Sequence, residues 1–93
     1  VEDVQDMSDG VDAEALALAG GISWALFVLV AGLGAMAIPQ WEAAVNWLGQ
    51  FYVGYTATPA GSVVGATWGF VDVFIGFYVF ARLYNYFREH PPL

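Results

Sequence analysis

Asp72 is the residue whose chemistry most needs an explanation. It stands near the middle of a stretch, Ser62 to about Phe87, that is apolar up to Arg82. An aspartate at the centre of a membrane-spanning helix costs ~2.5–3.5 kcal/mol on insertion scales. It must therefore be protonated, hydrogen-bonded, or turned toward a partner or water. Three roles fit such a carboxyl: a structural hydrogen-bond donor that fixes helix pairing, a lining group of a hydrated pore, or a proton relay. The relay fits least well, because no other ionisable group follows until Arg82, ten residues or ~15 Å further along one helix.

The remaining reactive side chains do not assemble into a centre. His90 is the only histidine and lies beside Glu89 in the C-terminal tail, where exposure is expected rather than metal ligation. The chain has no cysteine, hence no disulfide framework and no thiolate metal site. No glycine-rich phosphate loop and no nucleophile–base pair can be drawn; Gly32 and Gly34 only mimic a dinucleotide fingerprint inside an apolar run. Neither apolar stretch contains histidine, so imidazole ligation of haem or chlorophyll within a membrane is excluded. The expectation is a protein that is not an enzyme and holds no cofactor, whose aromatic surface could still pack against pigments, quinones or lipids held by neighbours.

The elements that position Asp72 follow from composition. Of 93 residues, 59% are hydrophobic and 12% charged, far from the mix of a soluble domain. A net charge of −7 with only two arginines argues against a nucleic-acid partner and against docking on anionic lipid. The polar residues are segregated, leaving two long stretches nearly free of charge. Spanning a hydrocarbon core of ~30 Å takes ~20 residues of helix. Ala15 to Pro39 contains no ionisable side chain, and Ser23 can return its hydroxyl to the backbone. A signal peptide does not fit, because six acidic residues and no basic one precede this stretch. Core helices of a soluble protein fit poorly, since little chain remains to cover them. The expected fold is thus an all-α membrane protein: a hairpin of two transmembrane helices with a short amphipathic interfacial helix in the connector. The divisions are an acidic tail (1–14), span one (15–38), the connector (39–61), span two (62–87) and a C-terminal tail (88–93). Asp9 or Asp12 is placed to cap span one, with Glu14 favouring its positive end.

Pro39 ends span one and can open a new helix. Trp41, Ala44, Val45, Leu48, Phe51, Tyr52 and Tyr55 then share one face, with Gln40, Glu42, Asn46 and Gln50 on the other. This pattern predicts a helix lying flat at the headgroups. Trp41, Trp47, Phe51, Tyr52 and Tyr55 would contact lipid or a partner there, either as an anchoring aromatic belt or as a docking surface.

In span two, Gly65, Gly69, Asp72 and Gly76 step by four, three and four residues and form one stripe, extended by Gly61. Phe70, Phe74 and Phe77 project from the other side. Span one carries a matching stripe of Ala17, Gly21, Ala25, Val28, Gly32 and Ala35. Small residues let helices approach closely in lipid, where hydrophobic attraction between helices is weak. The stripes predict packing of the two spans on each other, with a further contact outside the hairpin.

The segment Gly54–Phe87 resembles a family of small two-span prokaryotic proteins labelled bacteriophage holin or holin-like. The resemblance is carried by Gly54-Tyr55, Thr58-x-x-Gly61-Ser62, Gly65, the core Trp68-Gly69-Phe70-x-Asp72-x-Phe74-Ile75-Gly76, and Phe80-Ala81-x-Leu83-Tyr84-Asn85. Val73 and Phe77 replace further glycines of the pattern and Arg82 an aromatic. The resemblance implies two spans, a meaningful Asp72, and assembly in the inner membrane into lesions.

Two functions are expected to compete. One is a structural or accessory subunit of a larger membrane complex, supported by glycine faces, the amphipathic connector and an aromatic content of 17%. The other is a holin-like homo-oligomer that permeabilises the membrane. It lacks the continuous polar face that lines a water-filled pore. The expected partners are lipids and other membrane subunits or copies of the chain. Arg82 and Arg88 at the exit of span two place both termini in the cytoplasm by the positive-inside rule.

Overall fold

The structure, a computed structural model, describes residues 10–91. Most of the acidic tail, including the alternative cap Asp9, lies outside the described residues, as do Pro92 and Leu93. The described chain is all-α: helix α1 (Ala13–Ala35), a 3-10 turn (Pro39–Trp41), a short helix α2 (Glu42–Gly49) and a long helix α3 (Pro59–Glu89). At ~1.5 Å per residue α1 is about 35 Å long and α3 about 46 Å. Both are long and apolar enough to cross a membrane.

Local chemistry fixes the ends. Asp12 caps α1, its carboxylate accepting from Ala15 N at 3.1 Å, and Glu14 lies in the first turn, where the helix dipole favours an anion. The helix stops at Ala35, short of the expected residue 38. Ile38 precedes Pro39, and the proline ring excludes it from the α region; its backbone is extended (φ −117°, ψ 96°). Conversely α3 begins at Pro59, earlier than expected. Thr58 Oγ1 accepts from Gly61 N at 2.9 Å, and Pro59 occupies the first helical position, where its missing N–H costs nothing.

The two long helices pack antiparallel along α1. Ser62 meets Gly32, Phe70 meets Gly21, and Phe77 meets Gly20. At the far end Asn85 clamps Val11: Val11 N donates to Asn85 Oδ1 at 2.7 Å, and Asn85 Nδ2 donates to Val11 O at 2.6 Å. The start of α1 and the end of α3 are therefore at the same end of the hairpin.

The connector does not lie across the other end. Helix α2 turns back and runs antiparallel beside the second half of α1, with Trp41 against Gly34 and Ala44 and Leu48 sharing a recess with Val30, Ala31 and Phe27. By Tyr52 the chain has reached the level of Trp24. It reverses at Gly54, whose φ of +93° suits glycine, and climbs back along α3. On the way Trp68 Nε1 donates to Val53 O at 2.9 Å, and Tyr55 packs on Gly65. The predicted amphipathic helix is thus cut short at Gly49, and the residues after it form an inserted turn. Its core is Val28, Ala35, Val45, Tyr52 and Tyr55, with Trp24, Leu48 and Ala57 packed against them.

The long helices are poorly covered. In their most apolar windows 22% of α1 and 11% of α3 is buried, unlike core helices of a soluble domain. Leu26, Phe27, Val30, Val53 and Phe80 are among the large apolar side chains on the outer surface. Such a surface is at home in lipid or against other apolar helices.

Candidate functional site

The site is built around Asp72 and draws one side chain from each arm of the fold. Trp24 of α1 donates from Nε1 to the Tyr52 hydroxyl at 3.0 Å, and Tyr52 of the connector donates to Asp72 Oδ2 at 2.8 Å. An indole N–H can only donate, so the phenolic oxygen accepts from Trp24, and the Tyr52 hydroxyl is directed to Asp72 Oδ2. Asp72 thus shares with Tyr52 the hydrogen bond that ties α3 to the connector. Tyr52 supplies the one hydrogen bond Asp72 receives among the described residues.

Tyr55, three residues on, makes a second tie. Its hydroxyl donates to Val28 O at 2.7 Å, a buried contact to a helix carbonyl. Tyr52 and Tyr55 are 6% and 4% exposed, whereas a belt at the headgroups requires exposed rings. Both belong to the connector, and burial pushes both phenols above the ordinary tyrosine value, keeping them protonated donors. Trp41, Trp47 and Phe51 are the exposed members of the predicted set, Trp47 stacked edge-on against Phe51 at 5.3 Å.

Small residues of both stripes are buried between the long helices, Ala17, Gly21, Gly32 and Ala35 on α1 and Gly61, Gly65 and Gly69 on α3, and several of the glycines also serve as sockets for rings. A Cβ at Gly65 would overlap the Tyr55 ring, one at Gly69 would come within 2.9 Å of the Trp24 indole, and one at Gly21 within 2.9 Å of Phe70. Gly20, outside the predicted stripe, receives Phe77, and Gly32 makes room for Ser62 and for Tyr55 at 3.0 Å. Gly61 faces Thr56. Ala25 is half-buried, in a shallow recess with Phe70. Phe70 and Phe77 thus point toward α1, opposite to the side expected.

Asp72 and Gly76 leave the packed face: both are exposed, and nothing lies within 4 Å of a Cβ at Gly76. The reason is geometric. The packed face follows the every-fourth-residue row Gly65, Gly69, Val73, Phe77, Ala81 and Asn85, which drifts ~40° per step around the helix. The row of fours, threes and fours that includes Asp72 and Gly76 stays in place and parts from it after Gly69. Asp72 consequently sits at the edge of the hairpin, beside a groove of about 540 Å³ between the connector and α3, lined by Trp47, Phe51, Tyr52, Trp68 and Asp72 among others.

No family model matches the chain, and no curated protein or solved structure matches it either.

Among the described residues no group of three or more His, Asp or Glu side chains is placed to hold a metal ion. Ser62 Oγ is fully buried without a hydrogen-bond partner, facing Gly32 between the long helices. Sequence reasoning gave the Trp24 indole no role and missed the pairing of Tyr52 with Asp72. The available signal was that a mid-span carboxyl needs a donor, and the connector holds two tyrosines long enough to reach inward.

Proposed function

We propose that this chain is a non-enzymatic, two-span subunit of the cell membrane, serving as a structural or accessory part of a larger membrane complex. The observation that carries this reading is that the chain fills its own glycine sockets: Gly65, Gly69, Gly21 and Gly20 are occupied by Tyr55, Trp24, Phe70 and Phe77 of the same chain. The hairpin is therefore complete as a packed unit before any partner arrives. What remains outward is large and apolar, including Leu26, Phe27, Val30 and Phe80, a surface suited to lipid and to neighbouring helices. Arg82 and Arg88 favour the cytoplasmic side for the end of α3 and, with it, for the start of α1, which lies at the same end of the hairpin.

The holin-like reading draws on a different observation. Asp72 and Gly76 are exposed one turn apart on α3, which would let copies of the chain meet there. Against it, Trp68, Val71, Ile75 and Val79 surround them on the outer surface, so no continuous polar strip is available to line water.

The test is mild-detergent extraction from the native membrane followed by mass spectrometry of the intact assembly. Other polypeptides in fixed ratio are expected. A ring of this chain alone, together with growth arrest on overproduction that Asp72→Asn delays or abolishes, would overturn the accessory reading in favour of the holin-like one.

A further inference from the structure

The groove beside Asp72 combines two features that together specify a ligand chemistry. Its one carboxyl is held from behind by the Trp24–Tyr52 chain of donors, which makes it an acceptor. Its walls are aromatic: Trp47 and Phe51 on the connector side, both 60% exposed, and Trp68 on α3. A carboxyl group in a groove lined by aromatic residues matches an organic cation, since aromatic rings attract positive charge and an ionised carboxyl neutralises it. A volume of about 540 Å³ falls in the range of sites for drug-sized molecules. The Tyr52 hydrogen is already committed to Asp72 and the Trp68 indole hydrogen to Val53 O, so neither is offered to a neutral acceptor such as a quinone.

We propose that this groove is a binding site for a lipophilic organic cation: a quaternary or protonated amine, or an equivalent onium, on an apolar body, entering sideways from the lipid. The competing occupant with the same charge is a lysine or arginine from a partner helix. Trp47 and Phe51 project beside the groove, both 60% exposed, bulk that a partner helix would have to clear to bring a side chain to Asp72, whereas a free cation brings no helix backbone with it. This site lies within one chain, so it stands or falls separately from membership in a complex.

The experiment uses the full chain in an uncharged maltoside detergent, titrated with tetraphenylphosphonium and followed by tryptophan fluorescence and calorimetry. Saturable binding of one cation per chain is expected, weakened at least tenfold by Asp72→Asn. The amide oxygen of that variant can still accept from Tyr52, so the fold is retained. Trp47→Leu, remote from the Trp24–Tyr52–Asp72 chain, should weaken binding several-fold and guards against misfolding of the first variant. Neutral triphenylphosphine should not compete. Non-saturable uptake, equal binding by wild type and both variants, or displacement by triphenylphosphine would each overturn the proposal.

Discussion

Gly65→Ala and Gly76→Ala should change stability in opposite directions, although both glycines belong to one stripe in the sequence. At Gly76 a Cβ meets nothing within 4 Å, so the substitution gains helix propensity, worth about 0.8–1 kcal/mol at an exposed helix position. At Gly65 the same methyl overlaps the ring of Tyr55. The ring must withdraw, and with it the hydroxyl that donates to Val28 O. Overpacking costs about 1–3 kcal/mol, and loss of a buried hydrogen bond about 1–3 kcal/mol. Offsetting the same propensity gain leaves a net loss of about 1–5 kcal/mol for Gly65→Ala. The two variants should thus differ by about 2–6 kcal/mol, the sum of a gain at one site and a loss at the other. The assay is unfolding in mixed micelles with rising dodecyl sulfate, followed by tryptophan fluorescence and by helix content. Tyr55→Phe gives the internal check, since it removes the hydrogen bond alone and should cost less than Gly65→Ala. If both glycine variants shift the midpoint the same way and by the same amount, the ring-in-socket account of the stripe is wrong.

Three further outcomes follow from single contacts. Tyr52→Phe removes the acceptor of Trp24 Nε1 and the donor to Asp72 Oδ2 together, and should destabilise by about 1–3 kcal/mol; a double-mutant cycle with Asp72→Ala, which leaves no side-chain acceptor, should return a coupling of about 0.5–3 kcal/mol, and additivity would refute the bond. Asn85→Ala deletes both hydrogen bonds to Val11, so amide exchange at Val11 should speed up with the helices' own protection unchanged; an unaltered rate would show that Asn85 does not hold the start of α1. Ser62→Ala removes a buried hydroxyl that has no partner and should be neutral or stabilising by up to about 1 kcal/mol, whereas a loss above 1 kcal/mol would mean that the hydroxyl is bonded after all.

The fold was legible where one residue's physics is enough. Two apolar runs of sufficient length, a proline after the first and a Thr-Pro before the second, determine where the long helices lie to within about three residues. The small misses have local causes that the sequence also contains: Ile38 is turned out of the helix by Pro39, and Thr58 caps α3 ahead of the apolar run. The connector was less legible because a period of 3.6 describes only spacing. Val45, Leu48, Tyr52 and Tyr55 share a face on any helical wheel, yet the helix ends at Gly49 and the two tyrosines reach inward from a turn. Their burial is set by hydrogen bonds to Asp72 and Val28, groups 20 and 27 residues away, which no local pattern encodes.

The candidate site shows why a glycine stripe is an ambiguous signal in a membrane sequence. Missing side chains make room, but the pattern does not say for what. In a seam of backbones the partner residues are also small, and both helices would carry stripes of equal width. Here several of the gaps are filled by rings: Tyr55 at Gly65, Trp24 at Gly69, Phe70 at Gly21, Phe77 at Gly20 and Trp41 at Gly34. The aromatic content that read as an outer belt is partly spent on these sockets. Phe77 on α3 is accommodated by the missing side chain of Gly20 on α1. Once the rings are placed, the packed row drifts around α3 and strands Asp72 and Gly76 at its edge. The placement of the carboxyl thus follows from the volumes packed above and below it: filling Gly65 and Gly69 with rings is what turns Asp72 away from α1 and toward the one tyrosine that can reach it.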